Sequence, residues 1–380
     1  MSPEMICLDS GSFQLRVGMV GQDLPSATFY NFLGREPSRR SDGLIDPQSV
    51  HFGEELTSSA CPQCALVYPT HKSCVMDWGL QRRLWESAFA HLKWRPEQNI
   101  PLLYADPMLL PNDQQEGIQQ LVFEEMNFPH LCRVPASVLA FQQHVHLLAG
   151  IPPAASAACV MVDAGHDATT ITPMFNGIPL NYAVRRYDVG GEAITSQLAT
   201  LLGPLAPPNW LKTNLLKERL CHCALDYPAE IGRMPMPSTA VLSMERAVLT
   251  APEVLFCPRN VGVSSGGLAD TLHEAVESTP GMLHPLLYRN ILVHGGTANL
   301  PGFCERLASD VRALVPDGLE VVVECATGQL TNPRLAAWQG GAWWAMSYPR
   351  STFLELWGVS RDEYMESGTH ALCRRKFVWY

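Results

Sequence analysis

Met5-Ile6-Cys7-Leu8-Asp9-Ser10-Gly11-Ser12 and Ala158-Cys159-Val160-Met161-Val162-Asp163-Ala164-Gly165-His166 are two versions of one phrase. In each, a short apolar run ends on an aspartate, followed by one residue and a glycine. Loosely alternating apolar residues come next: Phe13, Leu15, Val17 and Met19 after the first, Ala168, Ile171 and Met174 after the second. Such runs on both sides of a glycine-bearing turn read as a β-hairpin. One Asp-x-Gly turn is an ordinary hairpin connection. The same turn twice in one chain implies two lobes built on one plan.

A third turn joins them. Ile291-Leu292-Val293 reads as a buried strand running into His294-Gly295-Gly296-Thr297. Phosphate oxygens need backbone N–H donors at close range, which glycine permits, and a divalent ion needs carboxylates to anchor its water shell. Asp9 with Gly11 and Ser12 offers this on one lobe and Asp163 with Gly165 on the other, so two facing hairpins would clamp a triphosphate between them. Gly295, Gly296 and Thr297 would let the backbone approach an adenosine, with Lys217 and Glu218 on base and ribose. Taken alone, Lys217 and Glu218 read as a solvated pair on a helix face.

The chain has 380 residues, beyond the ~250–300 at which single cores stop growing, which again favours two lobes. Lys plus Arg number 27 and Asp plus Glu 37, a net charge of −10, which argues against gripping a phosphate backbone directly. Hydrophobic residues at 47% and charged residues at 17% fit a folded chain and exclude disordered, collagenous and coiled-coil classes. No apolar stretch is long enough for a bilayer, and Met1 to Gly11 has no export signal, so the twelve cysteines are expected as free thiols in cytosol or nucleus.

A helix is expected from Asn112, with Asn112 as cap, Gln115 completing a capping box, and Ile118, Leu121 and Val122 on its apolar face. A second runs roughly from Trp210 to Leu225, followed by a Pro-punctuated loop from Asp226 to Pro237. Phe303, Leu307, Val311 and Leu314 mark one face of a third. Cys61-Pro62-Gln63-Cys64 with His71 and Cys74 is weighed as a zinc site, although His-x-x-Cys is short for a finger; free thiols around a turn are the plainer reading. Cys221 and Cys223 are expected in the core, since adjacent helical residues diverge. Trp338, Trp343 and Trp344 are expected in packing. The basic pairs Arg39-Arg40, Arg82-Arg83 and Arg185-Arg186 and the triplet Arg374-Arg375-Lys376 are too short for a nucleic-acid stripe.

Six motifs occur in the order found in the actin family, which the chain resembles over nearly its whole length. They are Asp9-Ser10-Gly11-Ser12; Tyr68-Pro69 with Asp77-Trp78; Asp163-Ala164-Gly165; Lys217-Glu218-Arg219-Leu220-Cys221 with Ala224-Leu225-Asp226; Gly295-Gly296-Thr297 with Pro301-Gly302; and Trp338-Gln339-Gly340-Gly341. The resemblance implies an α/β actin-like fold: two related lobes, four subdomains, and a nucleotide cleft between the lobes. It implies a small lobe over 1–145 with an inserted subdomain at about 34–69, a large lobe over 146–340 with an insertion at about 188–260, and a return to the small lobe over 341–380. ATP or ADP with magnesium is the implied cofactor. Its implied contacts are Asp9, Gly11, Ser12, Arg16, Asp163, Gly165, Lys217, Glu218, Gly295, Gly296 and Thr297, with Asp9 and Asp163 holding magnesium through water.

Phe123-Glu124-Glu125 leading to Arg133-Val134, the Leu80-to-Trp85 segment, Val189-Gly190-Gly191 with Thr195, and the tail from Val359 to Phe377 look most like the sixth actin-related subfamily. These are nuclear subunits of Swr-type (SRCAP) chromatin remodellers, which exchange a core histone for its variant. That likeness implies a scaffold in the nucleus, shared with the cytoplasm if import depends on partners. The implied partners are the remodeller motor subunit and a zinc-finger HIT-type subunit, with nucleosome or histones reached indirectly, no membrane, and no sequence-specific DNA binding.

Departures from the family pattern bear on mechanism. His166 and Asp167 replace an acidic residue and a glycine at the second turn, where they would crowd and repel a phosphate. Ala136 stands where actins carry a water-positioning glutamine, so in-line hydrolysis loses its positioning. Asn214 stands where a basic adenine neighbour is expected. Glu36 to Asp46, matching the loop that actins offer to the next subunit, carries Arg39, Arg40, Asp42 and Asp46, which argues against a homopolymer. Nucleotide binding without hydrolysis is therefore expected; the alternative is an active actin-superfamily ATPase or cytoskeletal filament protein.

Overall fold

The computed structural model describes residues 4–35, 50–51, 65–147, 158–207, 209–235, 243–262, 264, 266–325 and 332–375. The chain opens with β1 (Ile6–Ser10), β2 (Gln14–Met19) and β3 (Ala27–Tyr30), an antiparallel meander. β4 (Leu33–Arg35), β5 (Val50–His51) and β6 (Ala65–Val67) form a separate sheet, and β7 (Thr70–His71) with β8 (Cys74–Val75) a small hairpin. α1 (Trp78–His91), β9 (Leu102–Asp106), α2 (Asn112–Gln120), β10 (His130–Pro135) and α3 (Ala136–Leu147) follow.

The second lobe starts at β11 (Ala158–Ala164) and β12 (Thr169–Phe175), then β13 (Ile178–Pro179) and β14 (Arg185–Tyr187). Its helical part is α4 (Gly191–Leu202), α5 (Trp210–Leu220), α6 (Tyr227–Gly232), α7 (Met244–Thr250), α8 (Glu253–Phe256), α9 (Leu268–Glu277) and α10 (His284–Arg289). β15 (Ile291–His294), α11 (Phe303–Leu314) and β16 (Val323–Cys325) complete it. α12 (Ala336–Met346), α13 (Arg350–Trp357), β17 (Gly358–Ser360) and α14 (Arg361–Arg375) lead back to the first lobe.

The two lobes repeat one plan. β1 pairs antiparallel with β2 and parallel with β9, and β11 pairs antiparallel with β12 and parallel with β15. The sheet orders are β17-β10-β9-β1-β2-β3 and β13-β12-β11-β15-β16. These are the two lobes on one plan expected from the repeated turn, arranged as the α/β actin-like fold that the resemblance implies.

Strand alternation divides each hairpin strand between two cores. Ile6 and Leu8 pack with Trp85, Phe89 and Phe128 on the outer face of the first sheet. Cys7 faces the other way, joining Leu103, Val134, Leu139 and Trp338. β11 does the same: Val160 and Val162 face the large-lobe core, while Cys159 and Met161 join that same middle core. α3 and α12 thus lie between the two sheets, packed against each other. A Cβ on Gly340 would come 1.7 Å from the Leu139 carbonyl oxygen, so only glycine lets the helices approach this closely. Trp338 is buried there and its Nε1 donates to the Cys7 carbonyl at 3.0 Å.

Several sequence expectations change. Pro111, not Asn112, is the cap residue of α2 and no side chain caps it; Asn112 is already helical, although Ile118, Leu121 and Val122 are buried as expected. α5 stops at Leu220 rather than Leu225. Cys221 turns extended, and the Cys223 N–H bonds to the Pro301 carbonyl at 2.8 Å, drawing the segment onto the large-lobe core. Cys221 and Cys223 are indeed buried, but beyond the end of α5 rather than within a helix. The expected loop after Asp226 begins with α6, capped by Asp226 Oδ1 on the Ala229 N–H at 3.0 Å. Leu314, last in α11, is exposed while Phe303, Leu307 and Val311 are buried. Trp344 is buried with Trp338, whereas Trp343 stacks on His146. Cys61, Cys64 and the Glu36 to Asp46 loop lie outside the described residues.

Candidate functional site

The facing hairpins and the third glycine turn enclose a cavity of about 370 Å³ between the lobes. Every residue expected from the sequence lies on its wall. The β1–β2 hairpin contributes Asp9, Gly11, Ser12 and Arg16, and the β11–β12 hairpin contributes Asp163 and Gly165. Lys217 and Glu218 come from α5, and Gly295, Gly296 and Thr297 from the turn after β15.

The third turn is built for close approach. Gly295 has φ +99°, and a Cβ there would come 2.4 Å from the Ala164 carbonyl oxygen. Thr297 Oγ1 donates to the Gly165 carbonyl at 2.7 Å, tying this turn to the second hairpin. Lys217 is buried, against the reading of a solvated pair. Its Nζ donates to Asn214 Oδ1 at 2.7 Å and to the Gly191 carbonyl at 3.3 Å, and burial pulls its pKa down to about 8. Asn214 Nδ2 donates to Glu218 Oε1 at 3.1 Å, so the residue in the expected basic position organises its two charged neighbours. Arg334 reaches Glu218 Oε2 at 3.3 Å. The sequence reading missed Arg334; it enters the site from the far end of the chain, with no local motif around it.

The two carboxylates have partners of their own. Asp9 Oδ2 accepts from Arg16 Nη1 at 2.8 Å, a buried pair set by direct cross-strand register. Asp163 Oδ1 lies 3.7 Å from His294 Nδ1; burial raises the Asp163 pKa, and the negative charge of Asp9 adds to the rise.

Between the two hairpin turns the side chains meet. The rings of Phe13 and His166 stack with centroids 4.7 Å apart and planes at 27°, and His166 also meets the edge of Trp210 at 5.5 Å. Burial, helped by the positive charge of Lys217, lowers the His166 pKa to about 3, so the imidazole is neutral at physiological pH. The Asp167 carboxylate accepts from the Ser73 N–H at 3.2 Å and from the Ser12 hydroxyl; burial raises its pKa despite these bonds. Phe13 was legible only as one member of an alternating run. Its contact with His166 joins residues far apart in sequence, which no local pattern reveals.

The nucleoside end of this cleft fits an adenosine-like group: glycine backbone, a carboxylate, an ammonium and a guanidinium converge on it. The phosphate end does not fit magnesium triphosphate. Arg16 already neutralises Asp9, His294 flanks Asp163, and aromatic rings fill the space between the turns. Ala136, the first residue of α3, is also on the wall. Among the described residues, no group of three or more His, Cys, Asp or Glu side chains could hold a metal ion, and no helix is long and apolar enough to cross a membrane.

A family model described as Actin matches residues 2–219 and 214–378. Actin-related protein 6 of Oryza sativa, in subsp. indica and in subsp. japonica, is 27% identical over 439 residues, covering 98% of this chain and 98% of each relative. Actin-like protein 9 of Bos taurus is 26% identical over 383 residues, covering 97% of this chain and 87% of the relative.

Proposed function

The chain belongs to the actin family, and from that premise we propose that it is a structural, non-hydrolysing actin-related subunit of a nuclear chromatin-remodelling complex that exchanges a core histone for its variant. Members of the family normally hold ATP or ADP with magnesium in the cleft. In this reading the nucleoside end keeps that chemistry, while Ala136 takes the place of the group that would orient a water for hydrolysis. The single observation that carries the reading is Ala136 on the cavity wall, where the family places a water-positioning glutamine. A methyl group neither accepts nor donates a hydrogen bond, so the attacking water has nothing to orient it there.

Similarity to Actin-related protein 6 over nearly the full length of both chains supports the remodeller assignment. In this reading the partners are the motor subunit and a zinc-finger HIT-type subunit. Nucleosome contact is indirect, in keeping with the net charge of −10. The protein acts as a monomer within a heteromeric assembly. Affinity purification of the tagged full chain from nuclear extract tests this: co-purification of a remodeller motor subunit is expected, and an eluate free of remodeller subunits sinks the assignment. An active ATPase is the second reading, favoured by the presence of both Asp9 and Asp163 on the cavity wall.

A further inference from the structure

We propose that Phe13 and His166 are specificity-determining residues: their stacked rings close the compartment between the two aspartate-bearing turns, so the cleft takes a nucleoside or nucleoside monophosphate in preference to a nucleoside triphosphate. The inference rests on the reading of the cleft as a nucleotide site and does not depend on the remodeller assignment.

Three observations support it. First, the ring centroids are 4.7 Å apart, which is van der Waals contact, so no phosphate group passes between them without parting the stack. The stack is braced from both sides, since Phe13 also packs on Tyr30 and Phe32 in the first lobe and both rings meet Trp210 of the second. Opening it would break contacts across the cleft as well as within it.

Second, the turns are joined by polar bonds that use the groups a phosphate would need. The Ser12 hydroxyl and the Ser73 N–H are both donors, and both are already given to the Asp167 carboxylate. An incoming phosphate would have to displace that carboxylate and then face its charge at close range. The cations nearby offer little compensation. Arg16 is committed to Asp9, and the His166 ring is neutral.

Third, the cavity still calls for a polar occupant. Ser137 Oγ and His294 Nε2 are buried, lie in residues that line the cavity, and have no hydrogen-bond partner among the described residues. Buried polar atoms are normally satisfied, so a hydroxyl-bearing ligand or ordered water belongs beside them. Both atoms belong to the end of the cavity with Asp163 and Ala136, where a neutral polar occupant such as ordered water satisfies them without the charge that the closed turns reject.

Isothermal titration of the full chain with adenosine, AMP, ADP and ATP, each with and without magnesium, tests this. Adenosine or AMP should bind at least about tenfold more tightly than ATP, with no gain from magnesium. The double variant Phe13→Gly, His166→Gly should shift the ratio of ATP to adenosine affinity by about tenfold or more toward ATP, and an unchanged ratio in the folded variant overturns the proposal. Circular dichroism and a thermal melt establish that the variant is folded; should it not fold, the ligand order of the unmodified chain decides by itself. Tighter binding of magnesium-ATP than of adenosine by the unmodified chain overturns the proposal, and so does failure of every one of the four ligands to bind. Neither result touches the co-purification test. Conversely, loss of the remodeller partners with the ligand order intact removes the assignment and spares this inference.

Discussion

Arg133 and Asp106 face each other across the parallel strands β10 and β9, with Nε donating to Oδ2 at 2.8 Å and both side chains fully buried. Removing one member leaves the other charge uncompensated in the core. Arg133→Ala should cost about 3–5 kcal/mol, read as a shift in urea midpoint at unchanged m-value. His166 supplies a prediction about pH. Its pKa is about 3 in the folded chain against 6.5 ordinarily, so between those values the unfolded chain binds a proton that the folded chain refuses. Stability from this residue therefore rises with pH across that window and is lost as pH falls below about 6.5. His166→Phe keeps a stacked ring and removes the titration. The stability of the unmodified chain relative to this variant should fall by about 1 kcal/mol per pH unit between roughly pH 6 and pH 4, measured by urea unfolding. Asp163 and Asp167, whose pKa values burial raises, act in the opposite direction, but they are present in both proteins and largely cancel in the comparison.

Among the elements, those set by local rules were legible and those set by distant packing were not. β1–β2 and β11–β12 follow from alternation and a glycine turn, and β15 from its apolar run. The end of α5 was missed because Cys221 to Ala224 answers to the Pro301–Gly302 turn, where a Cβ on Gly302 would come 2.4 Å from the Cys223 carbonyl oxygen. The residues expected at the site all reach the cavity wall: most sit on or beside turns whose geometry the sequence specifies, while Lys217 and Glu218 are carried there by helix α5. The Phe13–His166 stack and the Arg334–Glu218 pair were hidden, since each joins segments that only the assembled fold brings together. The α3–α12 contact gives an element-scale test. Gly340→Ala pushes a methyl group into the Leu139 carbonyl, forcing the helices apart, and should destabilise by about 1–3 kcal/mol or more in thermal or denaturant unfolding.

In the whole molecule, α3 and α12 are shared by both lobes, so the middle core couples the two sheets as one body around the cleft. Lobe closure is reinforced at the rim, where Arg186 Nη2 donates to the Lys72 carbonyl at 2.9 Å and Tyr68 meets the edge of Trp210. These links belong to the chain itself and require no nucleotide. The protein should remain monomeric by sedimentation velocity in magnesium and salt at concentrations that polymerise actin, and assembly into filaments would refute that expectation. Whether the cleft turns over ATP is decided most directly by single-turnover phosphate release from magnesium-ATP with the purified full chain. Release no faster than in the absence of protein, and unaltered by Asp9→Ala, is predicted; a magnesium-dependent burst abolished by Asp9→Ala would show an active ATPase and contradict the non-hydrolysing role.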